Sequence, residues 1–444
     1  MSSPPRVSAD SSNPSAVLEG ANVLSGQTPS TLSINADRLW QRIAELAAIT
    51  DPDRPYSRVA FSDLHAEGRQ WLTGQMKQAG LDVRIDAGAN LIGRLAGSEN
   101  GRAAIVSGSH TDTVPRGGRF DGIAGVLVAL EVAQTLAENG ERLRHPFEVV
   151  DFLAEEPNKY GFSCIGSRAI AGVLTEQQLA YVAADGTSTA EGIAAMGGDP
   201  ERLGSPLRDR DDLAGFFELH IEQGVVLEQD AVDIGIVTDI VGITRYRIRL
   251  TGEAAHAGTT PMNRRKDALV AAAILVQEAE TLASTQQTDG AYLVATVGKL
   301  DVVPNGSNVV PGFVDLAIEV RSNSNEQVDR FYETFLARFR EVCNRRDIAL
   351  QADRISDGAA IGCDQAVQSA LVEAAEMNRA SYVRMPSGAG HDAAYMARIG
   401  PSGMIFIPCL KGRSHCPEEW ADKKALATGA QVMLDGIRLY DRRL

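Results

Sequence analysis

The chain lacks an uninterrupted apolar run of about 18 residues, and its N-terminus has no apolar stretch flanked by basic residues, so neither a membrane span nor a secretory signal is expected. A cytoplasmic location is the expectation that follows. Positive charge is in the minority: 43 Lys and Arg stand against 58 Asp and Glu, a net charge of -15. Nucleic acid or an anionic membrane as a partner would each need a basic face, and that balance argues against both. Cysteine is sparse. Cys164, Cys343, Cys363, Cys409 and Cys416 are odd in number and widely spaced, with no Cys-x-x-Cys pair, so reduced thiols are expected in place of a disulfide framework. No Gly-x-Ser-x-Gly occurs, which removes the nucleophile elbow of serine hydrolases, and no His-Glu-x-x-His occurs, which removes the helical zinc motif of many metalloproteases.

Histidine is scarce too, with seven in 444 residues, but its placement is not random. Four stand in short polar strings: Ser109-His110-Thr111-Asp112, Leu219-His220-Ile221-Glu222-Gln223, Gly390-His391-Asp392 and Ser414-His415-Cys416-Pro417-Glu418-Glu419. Between the first two lie Phe120-Asp121-Gly122 and Leu153-Ala154-Glu155-Glu156-Pro157, which add carboxylates able to bridge or complete a two-metal centre. Together these strings point to a metal-dependent hydrolase.

Length and a hydrophobic content of 44% allow two or three domains with a sizeable core. Residues 1–32 are rich in Ser, Pro and Asn without hydrophobic periodicity, the composition of a flexible tail. From Ser33 a capped helix is expected through Leu39, Ile43 and Leu46, and thereafter apolar runs alternate with helical stretches, the pattern of a largely parallel sheet covered by helices. Strands are expected over 103–107, 147–153, 216–219 and 404–408, each followed closely by a candidate ligand: His110, Glu155 with Glu156, His220, and His415. Open α/β sheets bind ligands at the carboxyl ends of their strands, so one shared site is expected. Between 238 and 353 the pattern changes to strand 240–250, helix 267–282, strands 292–300 and 314–320, helix 327–344 and strand 348–352. That βαββαβ order is the ferredoxin-like arrangement. The expected architecture is therefore α/β, with a catalytic domain of residues 33–237 and 354–444 interrupted by an inserted lid over 238–353.

Each string has an ordinary reading beside the chemical one. His110 alone is a hydrogen-bonded strand-end residue, and Asp121, just before the small-residue stretch from Gly122, is an N-cap. The adjacent acids Glu155 and Glu156 are the strongest local signal. Side by side after a buried strand they repel unless a cation or a shared proton compensates, and one can bind an ion while the other takes a proton from water. His220 and Glu222 alternate with apolar residues and are expected on one strand face.

The ordered set Gly108-Ser109-His110-Thr111-Asp112-Thr113, Gly118-Arg119-Phe120-Asp121-Gly122, Glu155-Glu156, Leu219-His220-Ile221-Glu222-Gln223-Gly224, Ala255-His256-Ala257-Gly258, Gly390-His391-Asp392-Ala393 and Ser414-His415 resembles the hydantoinase/carbamoylase branch of the M20 metallopeptidase-like amidohydrolases. The resemblance covers the chain from about Ser33 onward. It implies two divalent metals, one held by His110, Asp121 and His220 and the other by Asp121, Glu156 and His415, with Asp121 bridging. It further implies Glu155 as general base and Asp112 as the carboxylate behind His110. His256 would steady the oxyanion, in its own or the neighbouring subunit's site. Asn308 and Arg321 would hold the substrate carboxylate, Arg321 through its guanidinium fork, while Gln223 and Gly390 would line the pocket. The implied protein is a homodimer joined through the inserted domain, acting on a small ureido or amide substrate. His and carboxylate ligands suit Zn, Mn, Co and Ni alike.

One stretch departs from the family. Where a Gly-x-Arg-Phe type sequence usually follows the paired glutamates, this chain has Pro157-Asn158-Lys159-Tyr160-Gly161-Phe162. That leaves the metal ligands intact and bears on the substrate. N-carbamoyl-L-amino acids are the leading class, with allantoate, 3-ureidopropionate or an unusual N-acyl or amide substrate as alternatives. A nucleotide-dependent oxidoreductase is the rival from another class, because Gly388-Ala389-Gly390-His391-Asp392-Ala393 satisfies G-x-G-x-x-A after an expected strand at 382–385. A lone match of that kind is weak and leaves the His and acid strings unexplained. A binding protein without catalysis on the same fold is disfavoured because every ligand and the base are present.

Overall fold

The computed structural model describes residues 32–286 and 291–444. The stretch 1–32, expected as a flexible tail, lies outside the described residues except for Leu32, which is buried and whose carbonyl accepts the Gln431 side-chain amide at 3.0 Å. The first helix, Ala36–Ala48, is capped by Asn35 and not Ser33: the Asn35 side chain accepts the Arg38 N–H at 3.0 Å, satisfying one of the free amides of the first turn.

Strands β1 (Asp82–Ile85), β2 (Leu91–Leu95), β3 (Ala104–His110), β4 (Phe147–Phe152), β5 (Leu213–Ile221) and β6 (Ile234–Ile240) belong to one large sheet. The chain then builds β7 (Gly242–Thr251), β8 (Ala255–His256), β9 (Leu293–Val303), β10 (Val309–Val310), β11 (Phe313–Ser322) and β12 (Ala349–Asp357) before returning to the large sheet with β13 (Ile361–Gly362), β14 (Tyr382–Ser387) and β15 (Ser402–Ile407). The large sheet runs β1-β2-β4-β3-β5-β15-β6-β13, with β14 also beside β6. Its centre, β4-β3-β5-β15, is parallel, and its margins are antiparallel except for β14, which runs parallel to β6. The fold is thus mixed α/β with a mostly parallel central sheet.

Parallel strands covered on both faces read as near-continuous apolar runs, and β4, Phe-Glu-Val-Val-Asp-Phe, is fully buried although it carries two acids. Its two acids are matched by cations: Glu148 by Arg94 at 2.7 Å and by Arg208, Asp151 by Arg69 at 3.0 Å. The helix Ile123–Glu138 is buried on nearly every side. It packs on β3, β4 and β5 beneath the helices Ala36–Ala48 and Lys423–Arg443, as an apolar-all-round helix requires. The parallel centre brings the carboxyl ends of β3, β4, β5 and β15 to one edge, where ligand sites form in open α/β sheets. His110 and His220 are the last and the penultimate residue of their strands, and not loop residues beyond them.

The second sheet runs β12-β7-β11-β9, all neighbours antiparallel. Period-two alternation sorts its faces. Tyr246, Ile248, Leu250, Val314, Leu316, Ile318 and Val320 form a core with Phe331, Phe335 and Phe339 of the helix Asn325–Arg346 and with Leu275 of the helix Ala268–Thr285. The opposite face carries Arg245, Arg247 and Arg249 on β7, paired with Glu319, Asp315 and Asp353. Among the described residues Ala268–Thr285 is the one helix long and apolar enough, by length and composition, to cross a membrane. Here its Ala271, Leu275, Ala279 and Leu282 are buried in the core beneath the four-stranded sheet. The strand expected over 240–250 is β7, Gly242–Thr251, while Ile240 closes β6 in the large sheet. Both strands are apolar on the inner face, so the pattern runs across the break unchanged.

Candidate active site

At the carboxyl edge of the large sheet five side chains converge. His220 Nε2 lies 3.3 Å and His110 Nε2 3.6 Å from Asp121 Oδ1, while His415 Nε2 lies 3.5 Å from Asp121 Oδ2 and 3.1 Å from Glu156 Oε1. They form two donor groups, His110–Asp121–His220 and Asp121–Glu156–His415, with the ligand atoms of each within 4.8 Å of one another. Asp121 belongs to both and gives one oxygen to each. Its carboxylate is free to do so because the following helix begins at Ile123 behind Gly122 without any side-chain cap.

The donor chemistry fits divalent cations. His110 Nδ1 faces the Asp112 carbonyl at 3.0 Å and His220 Nδ1 the Ile221 carbonyl at 2.9 Å. Each ring therefore donates from Nδ1 and turns Nε2 toward Asp121, the orientation a metal ligand needs once Nε2 gives up its proton to the ion. Burial opposes charge on His110, but Glu155, Asp112, Asp121 and Glu156 outweigh it and hold its pKa up to about 10. Burial likewise opposes charge on His220, which Asp121 raises to about 9, and the Glu156 hydrogen bond raises His415 to about 9. Burial acts to raise the Asp121 pKa, yet the three histidines, His220 foremost, bring it below its usual range. Concentrated negative charge at this point thus demands positive compensation, which bound cations supply.

The surroundings lock the geometry. Asp112 accepts the backbone N–H groups of Glu155 at 3.2 Å and Glu156 at 3.1 Å, so its carboxylate clamps the loop after β4. It stands 3.7 Å from His110 Nδ1, and the partner of that ring is its main-chain carbonyl. Ala154 turns the chain at a left-handed φ of 52° immediately before the pair. Glu155 belongs to neither donor group; its Oε2 lies 3.5 Å from His110 Nε2, and its Oε1 accepts the Cys164 thiol at 3.3 Å. Burial first, then neighbouring acids against the pull of His110, drives its pKa well above the usual carboxylate range.

Sequence reasoning gave no role to Glu419, Ser414 or Cys164. Glu419 is fully buried and accepts the backbone amides of Phe120 at 2.7 Å and Asp121 at 3.1 Å, while Ser414 bonds both Glu419 and Asp121. The spacing of Glu419 four residues after His415 was the available signal. Glu222 does not share a strand face with His220: β5 ends at Ile221, and the Glu222 carboxylate accepts the Val226 and Leu227 amides at 2.8 Å each. His391 is buried against His220, its Nε2 3.0 Å from Ser387 Oγ, and the helix after the glycine-rich string is only Ala393–Met396, too short for a dinucleotide phosphate site.

Gly122 has a φ of 65°, and a Cβ there would lie 2.3 Å from His110 Nε2. Gly122→Ala is expected to abolish binding at the His110–Asp121–His220 group while the chain still folds, the left-handed strain costing about 1–3 kcal/mol. Metal content by atomic spectroscopy together with a thermal melt checks this; full metal occupancy in the variant would refute it.

The donor groups open into a cavity of about 830 Å³ lined from both sheets. Gln223, Gly390 and Arg321 are in its wall, as is Arg245, which sequence reasoning missed. Gln223 Nε2 donates to Asp121 Oδ2 at 2.6 Å. Arg321 directs Nε and Nη2 at Glu319 Oε1, each at 2.7 Å, and Nη1 at the Gly388 carbonyl at 2.8 Å, which leaves two of the five guanidinium N–H groups uncommitted. His256 and Asn308 are not in this wall. They sit on and beside the β8–β10 ladder, where Asn308 O accepts the Ala257 amide at 2.9 Å. His256 Nδ1 accepts the amides of Gly258 at 3.1 Å and Thr259 at 3.2 Å, so its proton is on the exposed Nε2.

The departing loop is internally braced. Asn158 Nδ2 donates to the carbonyls of Glu156 at 3.1 Å and Phe162 at 2.9 Å, and the Tyr160 ring is buried, leaving Pro157 and Phe162 to face the cavity.

Comparison with known proteins matches residues 106–438 to the peptidase family M20/M25/M40. An N-carbamoyl-L-amino-acid amidohydrolase of Paenarthrobacter aurescens is 39% identical over 408 residues, 92% of this chain and 98% of that relative. The allantoate amidohydrolase of Escherichia coli K12 is 35% identical over 392 residues, 88% of this chain and 93% of that relative. Among solved structures, an amidase of the hydantoinase/carbamoylase family from Burkholderia multivorans superposes with a TM-score of 0.87 at 34% identity, over 93% of this chain and 99% of that one.

Proposed function

Because the chain belongs to peptidase family M20/M25/M40, we propose that it is a metal-dependent amidohydrolase that cleaves a carbamoyl or related amide C–N bond beside a substrate carboxylate, with N-carbamoyl-L-amino acids as the preferred class. The observation that carries this reading is Asp121, which divides its two oxygens between two His-containing donor groups with the uncoordinated carboxylate of Glu155 alongside. Zn, Mn, Co or Ni held by His110, Asp121 and His220 and by Asp121, Glu156 and His415 would polarise the carbonyl and lower the pKa of water.

The chain's own residues do the rest. Glu155 takes a proton from the attacking water as the new C–O bond forms and passes it to the leaving nitrogen as the C–N bond breaks. Asp112 keeps Glu155 and Glu156 in register through their amides. Arg321, with its two uncommitted N–H groups, receives the substrate carboxylate.

The four-stranded unit, in ferredoxin-like βαββαβ order, acts as lid and dimerisation domain. Support comes from β9, an eleven-residue edge strand with Leu300 and Val303 exposed, since such an edge pairs readily with another chain. In that homodimer His256, its Nε2–H pointing outward, and Asn308 serve the neighbouring subunit's site, where an N–H donor steadies a developing oxyanion.

The test measures ammonia release from N-carbamoyl-L-amino acids, allantoate, 3-ureidopropionate and a carboxylate-free urea, and free amino acid release from N-acyl amino acids. Hydrolysis of the first class is expected to be fastest. In Arg321→Lys the planar fork is lost and the charge kept, so kcat/KM should fall by about 1–3 kcal/mol, roughly 5- to 150-fold, for carboxylate-bearing substrates alone. No turnover of any ureido acid, or equal losses for the carboxylate-free urea, would overturn the reading.

A further inference from the structure

Two arginines in the cavity wall differ from the other two. Arg245 and Arg321 share Glu319, at 2.6 and 2.7 Å, so one carboxylate offsets one of their two charges. Arg168, on the helix Ile165–Ile170, and Arg398, just past the helix Ala393–Met396, instead converge on one ring. Their guanidinium carbons lie 4.6 and 5.6 Å from the Tyr395 centroid. Arg168 Nε donates to the Ser163 carbonyl at 2.9 Å; among the described residues neither arginine forms an ion pair.

Stacking on the Tyr395 ring holds each guanidinium plane in place, and it leaves two cations beside one ring with no carboxylate of the described residues paired to either. That is unfavourable unless an anion offsets it. Both arginines and Tyr395 face the cavity beside Phe162 and Val173, apolar neighbours that strengthen any ion pair formed there. This cluster is separate from the Arg321 wall, which lies on the second sheet.

We propose that Arg168 and Arg398, held by Tyr395, form a second anion subsite that receives a carboxylate on the substrate's side chain, making N-carbamoyl derivatives of acidic L-amino acids the favoured substrates. This rests on the amidohydrolase reading above. A dianionic substrate then spans two cationic walls, with its scissile bond at the donor groups between them. Prearranged guanidinium planes suit a carboxylate and have no comparable use for a neutral amide of the same size.

N-carbamoyl-L-glutamate and N-carbamoyl-L-glutamine, alike in shape and different in charge, are the probes. The expected kcat/KM ratio, glutamate over glutamine, is at least ~10 in the unaltered protein, the order of one charge-assisted hydrogen bond. It should fall toward 1 in Arg398→Gln and Arg168→Gln and be partly kept in Arg398→Lys, which separates loss of charge from loss of shape. Calorimetric binding of the same two compounds to metal-loaded Glu155→Gln should show the same preference. If neither compound is hydrolysed but binding still favours glutamate and loses that preference in the arginine variants, the subsite stands and the hydrolytic reading fails. If hydrolysis proceeds with a ratio near 1, or the ratio survives both glutamine substitutions, the subsite is wrong and the hydrolytic reading stands. Absence of any binding preference together with absence of hydrolysis overturns both.

Discussion

Replacing Glu155 with Gln is expected to leave metal content unchanged and to lower kcat by at least ~100-fold, the order for loss of a general base. Glutamine preserves the volume and one oxygen, and that oxygen can still accept the Cys164 thiol. What it cannot do is accept and return a proton. The distinction between the adjacent acids is geometric: Glu156 reaches His415 at 3.1 Å and completes a donor group, whereas Glu155 lies outside both groups. Metal analysis and steady-state kinetics on one preparation decide it. A variant that lost metal yet turned over normally per bound ion would require the two roles to be exchanged.

The other large effect is expected from chelation. Stripping divalent ions should lower turnover at least ~100-fold, because carbonyl polarisation and water activation both depend on them. Adding back Zn, Mn, Co or Ni should restore turnover, by an amount that ranks the metals. Stability should fall in parallel, since anything bound only by the folded state stabilises it and its removal leaves Asp121, Glu155 and Glu156 crowded without a divalent counter-charge. A thermal melt with and without chelator reads this directly. Full turnover in demonstrably metal-free protein would sink the two-metal proposal.

The ligand strings were legible in the sequence because metal chemistry uses few residue types, and histidine is scarce enough here for each to be noticed. The alternating second sheet was legible because one face is apolar and the other is charged. Less visible was anything decided by the backbone alone. The change of pattern near residue 238 is visible in sequence, but nothing marks Val241 as the residue where the chain changes sheets, since both strands bury apolar side chains. The cap at Asn35 and the turn of Glu222 away from His220 depend on where a strand or helix stops by one or two residues, which periodicity does not resolve. Glu419 closes the His415 string yet received no role because a buried acid that serves backbone amides looks, in sequence, like any surface glutamate, and the Arg168–Tyr395–Arg398 cluster escaped because Arg168 lies far upstream of the other two.

The position of Asp121 depends on the far end of the chain. Asp121 takes its place because Glu419, almost three hundred residues downstream, holds the Phe120 and Asp121 amides, with His415 and Ser414 arriving on the same segment. Contacts this distant in sequence form slowly and together, and metal affinity is coupled to the fold that assembles its ligands. A nascent chain can complete the central strands and most of its core and still be unable to hold the second ion. With two ions held as proposed, metal content would serve as a gauge of finished folding: in a preparation of mixed quality, the fraction of chains carrying both ions should equal the fraction in which the C-terminal segment has docked.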